Sequence, residues 1–405
     1  MKQETKFKQT KFGQIPEDWL ISTIGSFCLV KNGKTNTQDA IVNGKYPLFD
    51  RSSEIKRSNK FLFDSESVII PGEGKEFIPK YYLGKFDLHQ RVYAINTNSV
   101  DKIDIKYIYY YVHLNREYLA RIAVGATVKS LRLDHLINFP LAIPTLKEQK
   151  TIVKILSDLD EKIELNQQMN KTLEEIGKTL FKRWFVDFEF PNEQGIPYKS
   201  SGGEMVYNEE LKKEIPNGSQ IIRLKDQLTF ERGIEPGSAI YENSKTENNI
   251  RFIRVSDLNN DNSTTFIPLE LATSKVIESD VLLSLDASVG IVRIGYNGSF
   301  SSGIRKIYDN CNKLSNALIY FLLKSEDIQN TINQYANGTT ILHAGKSIEF
   351  MNFVIPNEKM LDKFKTQITP IFNQILYNIK ENKQLADTRD LLLPKLMSGK
   401  IRVKY

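Results

Sequence analysis

Stepped from Ile152 in alternating strides of four and three, the chain meets Ile152, Leu156, Leu159, Ile163, Asn166, Asn170, Leu173, Gly177, Leu180 and Trp184. Apolar residues at that spacing predict a long helix whose seam packs lengthwise on another helix. The series recurs 212 positions on (152 to 364) as Phe364, Ile368, Ile371, Ile375, Asn378, Asn382, Leu385, Arg389, Leu392 and Leu396. Both Asn recur in place. Asn in such a seam lowers stability but fixes register, because one alignment lets the amides pair. The pattern predicts two related helices that pair with each other, each about 40 residues and roughly 60 Å long. Thr145 with Glu148 forms a capping-box pattern at the first start. At the second, Pro356-Asn357 repeats the cap and Met360 replaces the Glu. Pro370 falls inside the second helix, where it removes a hydrogen bond to the Thr366 carbonyl and predicts a bend. Pro394 and Gly399 fit its end.

Ahead of each helix lies a stretch of another pattern. Ser26–Val30, Phe61–Phe63, Val68–Ile70 and Arg91–Ile95 are short β-branched and aromatic runs separated by Gly, Pro and Asn, and predict strands. Ile103–Ala123 predicts a helix with Ile105, Ile108, Tyr109, Val112 and Leu119 on one side. Residues 1–14 are polar and read as irregular. The second stretch echoes the first: Ile15-Pro16 in Ile215-Pro216, Val68-Ile69-Ile70 in Val281-Leu282-Leu283, and Gly125 and Thr127 in Gly338 and Thr340. Gly84-Lys85-Phe86, with Arg91 five beyond, is echoed by Gly298-Ser299-Phe300 with Arg305 five beyond. The offset drifts from 200 to 214 across the unit (15 to 215, 91 to 305), so the copies differ by insertions that loops tolerate. The predicted order is a first head (1–144), a helix (145–190), a Gly- and Pro-bearing linker (191–214), a second head (215–356) and a terminal helix (357–405). The fold class is α/β, a mixed α+β chain. Two tandem globular domains are separated by long helices pairing as an antiparallel coiled coil with pseudo-two-fold symmetry.

Such a pair is a spacer holding two diverged readers. Duplex DNA is the common ligand with two separated features, met by two-fold proteins about one helical turn apart. Composition adds little: 405 residues with a net charge of +6 suit a polyanionic partner without requiring one. Two Cys, Cys28 and Cys311, have no metal spacing and fit a reducing cytoplasm. The first residues have no apolar core of a signal peptide, and no apolar run approaches a membrane span. Catalytic motifs are wanting. Gly72-Glu73-Gly74-Lys75 lacks the first Gly of a phosphate loop and has Glu76 where Ser or Thr belongs, and Gly345-Lys346-Ser347 follows the wrong residue at 340. His89, His113, His135 and His343 have no helix-face metal spacing.

Several stretches closely resemble the specificity subunit of Type I restriction–modification enzymes. They are Ile15-Pro16-Glu17-Asp18-Trp19, Ile143-Pro144-Thr145-Leu146-Lys147-Glu148-Gln149, Phe181-Lys182-Arg183-Trp184-Phe185-Val186-Asp187-Phe188 and the ending Leu393-Pro394-Lys395-Leu396-Met397-Ser398-Gly399-Lys400-Ile401. The second head departs from the family at Asn217-Gly218-Ser219, where an aromatic is usual, and its helix entry lacks the Glu-Gln pair. The resemblance implies that each head is a target recognition domain reading one part of a bipartite, asymmetric DNA site. The helices then set the unread gap. Two methyltransferase subunits dock around them and use S-adenosylmethionine on adenine N6, and restriction subunits add ATP- and Mg-dependent translocation and cleavage. The chain itself is then non-catalytic, without cofactor, metal or membrane partner. A coiled-coil scaffold with protein-binding heads is the alternative.

DNA readout needs Arg and Lys for phosphates and Arg, Lys, Asn, Gln or Thr for base edges. The first head offers Lys31, Asn32, Lys34, Arg57, Lys75, Lys80, Gln90, Arg91, Thr127 and Lys129. The second offers Arg232, Arg251, Arg254, Arg293, Arg305, Lys306, Thr340 and Lys346. Any one of them has a plain alternative as a solvated surface charge. Arg91 and Arg305 stand out because they recur. Phe181, Trp184, Phe185 and Phe188 exceed what one seam needs, and are candidates for docking a partner subunit or the adjoining head.

Overall fold

The computed structural model describes residues 6–11, 13–97, 99–259, 265–311, 313–339 and 341–404. It divides into two compact units, one of Met1–Ile163 with Gln384–Tyr405 and one of Glu164–Lys383. Two long helices, Leu146–Phe181 and Glu358–Met397, each contribute to both units. The second runs unbroken through Pro370 and Pro394, and ends three residues past the latter.

In the first unit, alternating apolar positions build a six-stranded sheet. Its strand order is Leu29–Asn32, Val92–Asn96, Phe63–Pro71, Lys80–Leu88, Tyr46–Phe49, Lys56–Ser58. Val68, Ile70 and Ile95 face one buried cluster, which also takes Ile105, Tyr107, Ile108 and Val112 from the helix Ile105–Leu114. Ile69, Phe86, Val92 and Ala94 face another with Phe49 and Phe63. Both faces of the central strand are therefore covered. Asp104 caps the helix by accepting from the Tyr107 amide, and Asn115 divides it from Arg116–Ile122. The strands at 46–49 and 80–88 escape a sequence reading because Pro47 and Gly84 interrupt them.

The second unit repeats this plan with a broken sheet. Thr229–Arg232, Ile304–Tyr308, Val281–Ser284 and Val292–Arg293 form one four-stranded sheet. Phe266–Pro268, Asn249–Ile253, Gly298–Phe300 and Lys275–Val276 form another. The long strand Lys80–Leu88 is answered by two short ones on either side of Gly295, whose φ of +86° turns the chain. Each head closes on a two-stranded pairing, Leu20–Thr23 with Pro140–Ile143 and Gln220–Arg223 with Asn352–Ile355, which delivers the chain into its long helix. Each also opens on a hairpin, Phe7–Thr10 with Gly13–Pro16 and Met205–Asn208 with Lys213–Pro216. The first hairpin lies in the stretch that read as irregular, because its strand FKQT has no apolar alternation.

Within each unit the two long helices run antiparallel. In the second unit, Asn166 Nδ2 donates to Asn382 Oδ1 at 2.9 Å, and Asn378 Nδ2 donates to Asn170 Oδ1 at 2.8 Å. Since 166 and 378, like 170 and 382, are equivalent positions, exchanging the helices maps one amide pair onto the other. In the first unit, Arg389 meets Asp160 at 2.8 Å.

Candidate nucleic-acid interface

In the first head the register of the sheet gathers part of the candidate set at one edge. Val92 pairs with Pro71 at the end of the central strand, so the turn before Val92 lies beside the loop after Pro71. Gly72 N donates to the Arg91 carbonyl at 2.8 Å, Gly74 N to the Lys129 carbonyl at 3.0 Å, and Leu131 N to the Gly72 carbonyl at 2.8 Å. The Gly72–Lys75 turn is thereby bound to the segment that carries Thr127 and Lys129. Lys75, Arg91, Thr127 and Lys129 are exposed there. The Glu73 carboxylate accepts hydrogen bonds from both Arg91 and Arg51. Its burial pushes the pKa up, but the two guanidinium contacts outweigh that and hold it below the ordinary carboxylate range.

Beside this edge, Asn32 Nδ2 donates to the Gln90 carbonyl at 3.3 Å, and Gln90 Nε2 to Asn36 Oδ1 at 2.6 Å. Lys31 and Lys34 are exposed on the same strand end. Lys80 Nζ rests on the Ser52 and Ser53 carbonyls at 2.8 and 3.1 Å, and desolvation holds its pKa below the usual value. Arg57 stands apart, its guanidinium tied to the carbonyls of Gly44 and Lys45.

The second head spends more of its cations inward. Arg293 Nε donates to the Leu258 carbonyl at 2.8 Å, and Lys306 Nζ donates to the Lys275 carbonyl while pairing with Glu231, both at 2.9 Å. Arg305 is 9 % exposed, donates to the Ser302 and Ile304 carbonyls, and lies 3.8 Å from Asp286. Arg232 pairs across the strands with Arg305 and donates to the Ser302 carbonyl. Arg251 stacks on Tyr296 with 5.6 Å to the ring centre, Arg254 lies 3.5 Å from Asp257, and Lys346 is exposed. Thr340 lies outside the described residues.

The sheet registers also revise the echo between Arg91 and Arg305. Ile70 pairs with Tyr93, and the equivalent Leu283 pairs with Arg305. Arg305 therefore occupies the place of Tyr93, and Arg91 that of Gly303. The sequence echo is displaced by two residues because the break at Gly295 changes the length of the hairpin. Equivalence survives at the acid instead. Glu73 bridges Ser130, and Asp286 pairs with His343 at the same crossing. Neither acid stood out in the sequence, since a search for DNA contacts passes over carboxylates. The failed phosphate-loop match at Gly72–Lys75 was the signal available. Arg51 carried none.

The seam residues all lie buried or half-buried. Ile152, Leu156, Leu159, Ile163, Leu392 and Leu396 do so in the first unit. Asn166, Asn170, Leu173, Leu180, Phe364, Ile368, Ile371, Ile375, Asn378 and Asn382 do so in the second, with Leu385 half-buried at the edge of the first. Phe181, Trp184, Phe185 and Phe188 are 2–4 % exposed in the second unit's core, where Phe185 packs on Phe353 and Phe364 at 5.0 and 4.8 Å between ring centres. Lys182–Val186 forms a π-helical turn there, and Phe188 takes a φ of +58°. Among the described residues, no three His, Cys, Asp or Glu side chains are grouped to hold a metal, and no helix is long and apolar enough to cross a membrane.

Comparison with known proteins agrees with this arrangement. Residues 16–175 match the model of the Type I restriction modification DNA specificity domain. The chain is 30 % identical over 443 aligned positions to the Type I restriction enzyme MjaIX specificity subunit of Methanocaldococcus jannaschii, covering 99 % of this chain and 98 % of the relative. It is 25 % identical to the HindI specificity subunit of Haemophilus influenzae, covering 83 % and 85 %. The crystal structure of the S subunit of a Type I restriction–modification system from M. genitalium has the same fold, with a TM-score of 0.62, 18 % identity and 98 % coverage of both chains.

Proposed function

The chain belongs to the specificity subunits of Type I restriction enzymes, and from that premise we propose that its two heads each read one part of a bipartite, asymmetric DNA sequence, the paired helices setting the unread gap. The observation that carries this reading is the duplicated head. The strand plan is kept in both copies, while the cations at its edge are not, as two readers of different half-sites require. Lys31, Lys34, Lys75, Lys129 and Arg91 in the first head supply phosphate contacts, which position the duplex. Asn32, Gln90 and Thr127 have the chemistry to meet base edges. In the second head Arg232, Arg251, Arg254 and Lys346 take these roles.

Catalysis lies with the partners. Two methyltransferase subunits dock on the helix pair and bring S-adenosylmethionine to adenine N6, and restriction subunits bring ATP and Mg. This chain supplies the address in the cytoplasm. The burial of Phe181, Trp184, Phe185 and Phe188 supports a role in anchoring the second head to its helix. The experiment that tests the whole reading is a base-resolution methylome of the host with and without this gene, with the partner methyltransferase expressed in both. Loss of N6-methyladenine from one gapped, asymmetric motif is the expected result. Retention of every methylated motif overturns it and brings the protein-binding scaffold forward.

A further inference from the structure

The two heads agree at one charged position and disagree around it. In each, the central strand runs out at a residue (Pro71, Ser284) followed two positions later by an acid, Glu73 or Asp286. In each, the acid lies against a segment that a glycine turn delivers. Gly125 has a φ of +115° and Gly338 one of +123°. A Cβ at either would stand 2.3 or 2.1 Å from the carbonyl oxygen three residues on, so only glycine makes this turn. The acid is therefore set in place by the fold.

The partners that meet it are not shared. Glu73 takes Arg51, from the turn after the strand Tyr46–Phe49, and Arg91. Asp286 takes Arg305, from within a strand, and His343 from the glycine segment itself, at 2.6 Å from Nδ1. Glu73 is the covered partner in the first head, its side chain 10 % exposed while Arg51 and Arg91 are 45 % and 60 % exposed. In the second head Asp286 is covered relative to His343, but Arg305 is itself buried. A carboxylate so enclosed is costly without its cations. A guanidinium has five donors, however, and can keep the carboxylate on one edge while offering the other to a phosphate.

We propose that Glu73 is a positioning residue that governs how much of the neighbouring positive charge the first head offers to a DNA phosphate. This rests on the DNA reading above. A duplex seated in register meets guanidinium groups already aimed at its phosphates. A duplex out of register meets a cluster partly neutralised from within, so sequence-independent binding is held down.

The test uses the full chain assembled with its methyltransferase subunits. Binding is measured to the target duplex and to a scrambled duplex of equal length, from about 50 to 300 mM salt. Glu73→Gln is expected to tighten binding to the scrambled duplex by about tenfold, to steepen its salt slope by about one, and to narrow the ratio between the two duplexes. Arg91→Ala is expected to weaken both alike and flatten the slope by about one. Unchanged affinities for both duplexes in a Glu73→Gln complex of wild-type melting temperature overturn the proposal. So does a loss confined to the target and to one cytosine, which makes the acid a base reader. If Glu73→Gln and Arg91→Ala lower the melting temperature together and leave both affinities alone, the pair is purely structural and the proposal falls. A wild-type complex that binds neither duplex sinks the DNA reading instead, before any variant is compared.

Discussion

The two long helices are alike where they meet each other and unlike where they meet the heads. In the first unit, Tyr110 of the head donates its hydroxyl to Asp160 at 2.7 Å, and Arg389 of the other helix closes on the same carboxylate at 2.8 Å. The equivalent positions in the second unit are Phe321, Phe372 and Gly177. There the Phe321 ring lies so close to bare backbone that a Cβ on Gly177 would stand 2.2 Å from it. Phe372 packs edge-on against Tyr320, with 5.7 Å between ring centres. A polar triad in one seat is thus an apolar triad in the other. The helix entries follow suit. Buried Glu148 receives Trp19 Nε1 at 3.2 Å and Arg402 Nε at 2.9 Å, and buried Gln149 is bonded to the backbone of Lys102, Asp104 and Pro144. Their counterparts are Ser219, Met360 and Leu361, with both apolar residues in the second core. The seats therefore carry different keys. A head moved to the wrong one leaves a buried charge facing apolar surface, which is among the costlier errors in packing.

The protein has two tryptophans, and the units hold one each, Trp19 and Trp184. Fluorescence of the Trp184→Phe or Trp19→Phe background then follows the first or the second seat alone. The largest expected effect is Gly177→Arg, which installs the first seat's residue in the second. It drives a side chain into Phe321 and buries a cation without its acid, for a loss of about 3–5 kcal/mol. The Trp184 denaturation midpoint falls and the Trp19 midpoint holds. Equal movement of both breaks the comparison.

Next is Asp160→Ala, which takes the shared acceptor from Tyr110 and Arg389. A loss of about 1–3 kcal/mol is expected at Trp19. Replacing the triad together, with Tyr110→Phe, Asp160→Phe and Arg389→Gly, should cost less than the sum of the three single changes, because it rebuilds the apolar key. An additive or larger loss would mean that surrounding residues, and not this triad, distinguish the seats.

What the sequence made legible follows the same division. Residues repeated at heptad spacing announced the helix pair, and the repeated Asn marked where register is fixed; which Asn meets which is seen only in the fold. The heads were legible as strands and a helix with a repeated beginning and end. Their keys were not, because Asp160 and Phe372 look like an ordinary exposed acid and an ordinary core ring until the partner is known. The two departures from the family pattern, at Ser219 and Met360, read as separate events. In the fold their counterparts Trp19 and Glu148 touch, so the departures are one change made on both sides of a contact. The candidate interface was legible by residue type alone. Type cannot separate Lys75, which is exposed, from Arg293, which is tied to carbonyls.

Acid should sharpen the comparison further. In the first unit, the bond from Arg402 holds Asp18 below the usual carboxylate range. Burial raises Asp50, but Lys56 and Ser52 outweigh it and bring it to about 2. Carboxylates depressed in the fold contribute stability that is present above their unfolded pKa and lost as pH falls through the folded one. Glu148 opposes them, since burial outweighs Arg402 and raises it, so its protonation favours the fold. In the second unit, burial raises Glu174, and Lys324 and Tyr320 more than reverse that. With Glu73 also depressed, Asp18, Asp50 and Glu73 in the first unit stand against Glu174 in the second. Between about pH 4.5 and 2 the Trp19 midpoint should fall further than the Trp184 midpoint. Parallel curves would mean that these carboxylates of the first unit add no acid sensitivity of their own.

The smallest expected effect lies where the helices are alike. Asn166→Leu removes the amide facing Asn382 and should cost about 1–2 kcal/mol. Changing both to Leu fills the seam with apolar surface and removes the buried Asn166 oxygen that has no hydrogen-bond partner. That double change should be near neutral or stabilising, since a buried polar pair and a well-packed apolar pair differ little in net energy. Because exchanging the helices maps Asn166–Asn382 onto Asn170–Asn378, the double change at the second pair should give the same result. The seats predict the opposite, with transplanted residues costly on one side and tolerated on the other. A large difference between the two Asn pairs would show that the heads impose their asymmetry on the middle of the helices as well as on their ends.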